Sequence, residues 1–131
     1  MKYLYLLAIV ALLGACGSDS TDTIGNSTVT IGNSTVTIGN LEVMTKNLGL
    51  MNWEDAKKAC ADLGDGWRLP TKDELNILYH NKDKIGGFTL VNYWSSKVGD
   101  LSTSWIQNFD KGSQVGNLNS DTNSVRAVRS I

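Results

Sequence analysis

"WEDAKKACADLGDGWRLPTKDELNILY", Trp53–Tyr79, holds two helix starts and a helix stop between them. Asn52 stands directly before it as an N-cap, and Glu54 and Asp55 occupy the first turn, where the helix dipole favours acids. Trp53, Ala56, Ala59, Cys60 and Leu63 recur at helical spacing, a narrow face rich in small residues that predicts close packing. Gly64 marks the stop. Thr71 and Glu74 then have capping-box spacing, Pro70 and Leu75 are placed for a staple across the start, and Leu75, Leu78 and Tyr79 form the inward face.

Beyond Gly86-Gly87 no helical period returns. "LVNYWSS", "TSWIQNF", "SQVGNLN" and "VRAVRS" read as four short strands, with Asp110-Lys111-Gly112 turning the second into the third. Polar loops over 97–103 and 119–124 join the others. Upstream, "LEVMTKNLG" alternates through Leu41, Val43 and Thr45 as a further strand. Two helices and about five strands make a small α+β domain, and 131 residues suit one such domain.

The segment "TIGNSTVTIGNSTVTIGN", Thr23–Asn40, repeats with period seven, yet it is no coiled coil. Gly and Asn stand beside β-branched Thr, Val and Ile, and a and d positions are missing. One long strand fails as well, because an odd period sends Ile24 and Ile31 to opposite faces. The unit reads as an extended Ser-Thr-Val-Thr-Ile run followed by Gly-Asn, a pair suited to a type II′ hairpin turn. With little apolar area of their own, residues 16–37 are expected to form a tether, and the domain is expected to occupy 38–131.

Residues 1–16, "MKYLYLLAIVALLGAC", place Lys2 before an apolar run that is too short to span a bilayer and has the size of a signal-peptide core. Leu13-Gly14-Ala15-Cys16 resembles the lipobox of bacterial lipoproteins. The resemblance implies removal of residues 1–15 and acylation of Cys16, which would anchor the chain in a membrane. Gly17 and Ser18 follow with no acid, a context resembling outer-membrane sorting. The whole chain has 12 basic and 13 acidic side chains. Loss of Lys2 would leave a formal −2, with no concentrated basic face for nucleic acid.

The ordered set "WEDAKKACADLGDGWRLPTKDELNILY", "YWSS", "SWIQNFDKG" and "VRAVR" resembles the Lcl C-terminal domain family, over roughly Leu41–Ile131. "WRLPTKDEL" is also similar to a segment of formylglycine-generating enzymes, whose fold is a C-type-lectin-like variant. The resemblance implies two helices on a small twisted antiparallel sheet with adjacent domain ends. The strand near Leu41–Thr45 is then expected in one sheet with Val125–Ser130. It also implies core positions for Trp67, Trp94 and Trp105.

Those enzymes use two late cysteines, and nothing after Cys60 supplies them. The Glu-Pro-Asn, Gln-Pro-Asp and Trp-Asn-Asp segments of calcium-dependent lectins are missing too. His80 is lone and helix-terminal, and capping accounts for Asp62, Asp65, Asp73 and Glu74. Arg68, Arg126 and Arg129 fall within strand-like or motif segments, which suggests structural pairing. No catalytic residue, metal or cofactor is expected. Binding is expected in the polar late loops, at Asp100, Asn108, Gln114, Asn117, Asn119 and Asn123. The resulting expectation is a lipid-anchored envelope recognition module for a glycan or protein ligand, set against an accessory envelope lipoprotein with no ligand of its own.

Overall fold

The computed structural model describes residues 34–131 and, for backbone only, Asp19–Ile24 and Ser27–Gly32. Cys16 and the signal segment lie outside the described residues. Strands β1 (Asp19–Ile24) and β2 (Ser27–Gly32) pair antiparallel, with Ile24 opposite Ser27, and belong to a unit that ends at Asn33. The domain is a second compact unit, Ser34–Ile131.

That unit begins earlier than expected, because the last repeat copy is a strand of the domain. Strand β3 (Thr35–Ile38) pairs antiparallel with β4 (Leu41–Met44) across Gly39-Asn40. Gly39 has φ +62°, and Asn40 is not among the positive-φ residues. A positive φ at the first central residue alone marks a type II′ turn. Val36 and Ile38 pack toward the core while Thr35 and Thr37 stay exposed, so this copy buries one apolar edge. The reversal at Gly39-Asn40 lets this copy present one apolar face despite the odd period.

The chain's end returns to this strand. Strand β10 (Val128–Ser130) pairs with β4, Val128 opposite Val43, giving the order β10-β4-β3. The Ile131 N–H donates to the Asn40 carbonyl at 3.0 Å, so the domain's ends adjoin.

A second sheet has the order β5-β9-β6-β7-β8, built from Gly49–Met51, Asn123–Val125, Asn92–Val98, Thr103–Asn108 and Gln114–Leu118 respectively. Its pairs are antiparallel except β6 with β9, which run parallel at Tyr93 and Ser124. "VRAVRS", expected as one strand, is therefore divided between two sheets. The break falls at Arg126-Ala127, where the Ala127 carbonyl accepts the Met44 N–H and the Arg126 side chain plunges inward.

Helix α1 (Trp53–Ala61) starts as expected, with the Asn52 Oδ1 accepting the Asp55 N–H at 2.9 Å. Helix α2 (Lys72–His80) has the full capping box. Thr71 Oγ1 accepts the Glu74 N–H at 3.1 Å, and Glu74 Oε1 accepts the Thr71 N–H at 2.9 Å. A single turn, α3 (Lys82–Ile85), follows it.

The helices lie on opposite faces of the five-stranded sheet. Trp53, Ala56 and Cys60 of α1 pack with Trp67, Trp94 and Ile106, whereas Leu75 and Leu78 of α2 pack with Tyr93 and Phe109. Tyr93 and Trp94 are successive, so β6 serves both cores, which explains its unbroken buried run. Cys60 sits inert in the first core, its thiol pushed up to about 12 by burial.

Arg126 joins the two sheets. It is fully buried, and loss of solvent lowers its pKa to about 10. Nε and Nη2 donate to Asn47 Oδ1 at 3.0 and 2.7 Å, and Nη1 donates to the Met44 and Gly86 carbonyls at 2.9 and 3.0 Å. Its guanidinium lies 3.8 Å from the Phe88 ring centroid. A Cβ at Gly87 would collide with the Thr45 carbonyl, so this close approach requires glycine.

Candidate functional site

The late polar loops are held by their own side chains. Asp100 Oδ1 accepts the Ser102 N–H at 3.1 Å and the Thr103 hydroxyl at 2.9 Å, which hold its carboxyl below the usual range. Asn108 Oδ1 accepts the Asp110 and Lys111 N–H groups at 3.0 and 2.8 Å, an Asx-type closure of the turn. Gln114 Nε2 donates to the Lys72 carbonyl at 2.8 Å, and Asn123, itself buried, donates to Asn117 Oδ1 at 2.7 Å. Asn119 engages through its backbone, accepting the Trp53 N–H at 3.1 Å, while its buried Oδ1 has no protein partner among the described residues. Asn117, Asn119 and Asn123 meet near the start of α1, whereas Asn108 and Asp100 belong to different turns.

A different surface is open. The start of α2 and the end of β6 enclose a groove of about 580 Å³ lined by Thr71, Lys72, Asp73, Ser96, Lys97 and Val98. Thr71 and Ser96 also line an adjoining hollow of about 310 Å³ that reaches Lys57, Trp67 and Arg68. The walls are fixed by the Ser96 N–H donating to the Pro70 carbonyl at 2.8 Å and by the capping box. The chain therefore presents these side chains on a rigid frame.

Trp105 belongs to this region and corrects the expectation of a core position. It is half-buried, with Lys72 Nζ lying 3.7 Å from its ring centroid. Its partner across the ladder is Gly116 on the edge strand β8, which has no side chain to cover the ring. Helix α2 begins only at Lys72, so no further turn lies above it. Trp53, Trp67 and Trp94 are buried.

The arginines are structural, as expected. Arg68 grips Glu74 with two hydrogen bonds of 2.7 and 3.1 Å and also reaches Ser130 Oγ. Burial would raise the Glu74 pKa, but the bonds from Arg68 and Thr71 outweigh it and lower the value. Arg129 donates to Glu42 Oε1 at 2.7 Å. Lys57 pairs with Glu54 at 3.2 Å. Lys72 and Lys97 have no carboxylate within ion-pair distance among the described residues. Hydroxyl, carboxylate and ammonium groups thus share one open groove, with the Trp105 ring beside its Lys72 wall. None forms a nucleophile–base pair, and the described residues contain no cluster of three His, Cys, Asp or Glu suited to a metal.

Among solved structures, a chain of the complex between a mutant von Willebrand factor A1 domain and botrocetin is similar, with TM-score 0.53 and 9% identity over 74% of this chain and 96% of that one. The likeness is one of fold, in keeping with the α+β, C-type-lectin-like arrangement of two main helices on antiparallel strands with adjoining ends. A comparison with curated proteins gives no match. The sequence profile of the Lcl C-terminal domain matches residues 26–129, and the chain belongs to that family.

Proposed function

We propose that this chain is a bacterial envelope lipoprotein, acylated at Cys16 and sorted to the outer membrane, whose domain binds an extended glycan in the α2–β6 groove. The observation that carries this reading is the groove itself: an open cleft of about 580 Å³ with Lys72 and Lys97 in its walls, neither in an ion pair among the described residues, and Trp105 beside Lys72. Sugars present hydroxyls to polar donors and C–H faces to aromatic rings; the groove walls offer the first kind of partner, and the half-buried Trp105 beside Lys72 offers the second. The binding surface is thereby moved from the late asparagines, whose hydrogen-bonding groups are largely spent within the fold, to the start of α2. The reading assigns no enzymatic step, metal or cofactor.

A glycan array probed with the soluble chain tests it. Lys72→Ala with Lys97→Ala is expected to weaken binding at least tenfold without lowering Tm, while Asn117→Ala with Asn119→Ala leaves affinity within twofold. Trp105→Ala is expected to reduce affinity and to cost about 1–2 kcal/mol, against about 3–5 kcal/mol for the buried Trp94→Ala. Unaltered glycan affinity in the double lysine variant would move the site elsewhere, and binding only to proteins would replace the glycan reading. Cys16→Ser is expected to abolish acylation and detergent-phase partitioning. A mature variant that still partitions would remove the lipoprotein assignment.

A further inference from the structure

Strand β8 ends the five-stranded sheet, and its outer edge is unusually plain. Gln114-Val115-Gly116-Asn117-Leu118 has no charge and no proline, and Val115 and Leu118 are about half exposed. Soluble proteins ordinarily guard such an edge with lysine, proline or a bulge. Here none is present.

The hydrogen-bond phase shows which groups are free. Asn108 donates its N–H to the Ser113 carbonyl, and Asn119 donates its N–H to the Ser102 carbonyl. With Trp105 opposite Gly116, these bonds set residues 113, 115, 117 and 119 toward β7. Gln114 and Gly116 therefore direct their N–H and C=O groups outward, as Leu118 does its N–H, while the Leu118 carbonyl accepts the Asp121 N–H at 3.0 Å.

We propose that this edge pairs with the same edge of a second copy, antiparallel about a two-fold axis at Gly116, joining two five-stranded sheets into one of ten. In that register Gly116 faces Gly116 of the second copy and exchanges both backbone bonds with it, and Gln114 faces its Leu118, whose N–H donates to the Gln114 carbonyl. Val115 then faces Asn117 across the seam, so no like charges oppose each other. The same register brings Lys111, whose exposed ammonium is also 3.6 Å from Asp110, to the Asp121 end of the other strand. Glycine at the axis leaves that face of the seam without a side chain, and Trp105 of each copy lies one strand away on the same face. The pairing is independent of the groove, which lies between α2 and β6.

Sedimentation equilibrium of the full chain in density-matched detergent tests the seam. The parent chain is expected to dimerise in the micromolar range. A Cβ at Gly116 would meet only Thr103, at 3.6 Å or more, so larger residues fit the isolated fold. Gly116→Lys sets two ammonium groups face to face, and the dissociation constant is expected to rise at least tenfold with Tm unchanged. Gly116→Cys gives a second readout. A hydrogen-bonded antiparallel pair has Cα atoms about 5.5 Å apart, inside the roughly 4.4–6.8 Å that a disulfide spans. Mild oxidation is expected to link Gly116→Cys chains covalently above the parent background, and Val115→Cys chains are not expected to link. A parent chain that stays monomeric at 100-fold higher concentration, a dimer that persists in Gly116→Lys, or equal crosslinking at 115 and 116 would each overturn the proposal.

Discussion

Asn47→Leu removes the acceptor on which the domain's buried cation depends. Asn47 Oδ1 receives Arg126 Nε at 3.0 Å, Arg126 Nη2 at 2.7 Å and the Tyr93 hydroxyl at 3.0 Å. Arg126 is fully buried and has no carboxylate partner among the described residues, so its charge relies on neutral oxygens. Met44 and Gly86 would still accept from Nη1, while Nε and Nη2 would lose their acceptor. A hydrogen bond to a charged group contributes about 1.5–3 kcal/mol and a neutral one about 1 kcal/mol. With two charged bonds and one neutral bond lost, the expected cost is about 4–7 kcal/mol, a large part of a domain's usual stability. Asn47→Asp is the converse, nearly isosteric and supplying a counter-charge. Its new carboxylate should have a folded pKa depressed below the unfolded value of about 3.9. The gain is then present above that value and lost as pH falls through the folded one. Urea titration followed by the fluorescence of buried Trp94 measures both variants. A cost below 1 kcal/mol for Asn47→Leu, with Asn47→Asp no more stable at pH 7, would refute the account of Arg126 as a keystone.

Thr71→Ala is expected to cost about 1 kcal/mol by opening the capping box, read from the urea midpoint. Glu74→Gln is expected to cost about 1 kcal/mol at pH 7, a modest figure because its Arg68 partner is 38% exposed. Since the folded pKa of Glu74 is depressed below 4.5, that difference should vanish as pH falls from about 5 through the folded value. Deleting Thr30–Val36 leaves the same sequence as deleting Thr23–Val29, so an intact Ser-Thr-Val-Thr-Ile copy still precedes Gly39 and Tm should be unchanged. Deleting both units places Asp22 where half-buried Val36 packs, and calorimetry should show a loss of about 1–3 kcal/mol.

The helix starts were legible because capping is local chemistry. Asn52 with Asp55 and Thr71 with Glu74 need only three residues to declare themselves, and both caps form. Trp53 was legible as core from its helical spacing with Ala56 and Cys60, and Trp67 and Trp94 from the family resemblance. Trp105 departs from the core position that the resemblance implies, because a shared motif fixes a strand but not whether anything covers its face. Its exposure depends on Gly116, eleven residues on, and on the point where α2 begins. Strand β5 is three residues long and the β9–β10 break depends on Arg126 turning inward, so neither left a periodic trace.

The site follows the same division. An asparagine two or three residues before a glycine-containing turn is drawn to the adjacent backbone N–H groups, which is the fate of Asn108. Loop polarity alone therefore overstates how many side chains remain available to a ligand. The groove residues show the reverse. Thr71–Asp73 and Ser96–Val98 are separated by an entire helix, and the Ser96–Pro70 backbone bond brings them together. A surface assembled by one long-range bond carries no local pattern, whereas the rigidity that such a bond confers is what makes it useful. Lys72 illustrates both levels. In sequence it is an ordinary first-turn lysine, poorly placed for the helix dipole. In the fold its ammonium lies over Trp105 and its carbonyl is tied to Gln114, so a residue that helix chemistry would discard is held at the mouth of the groove.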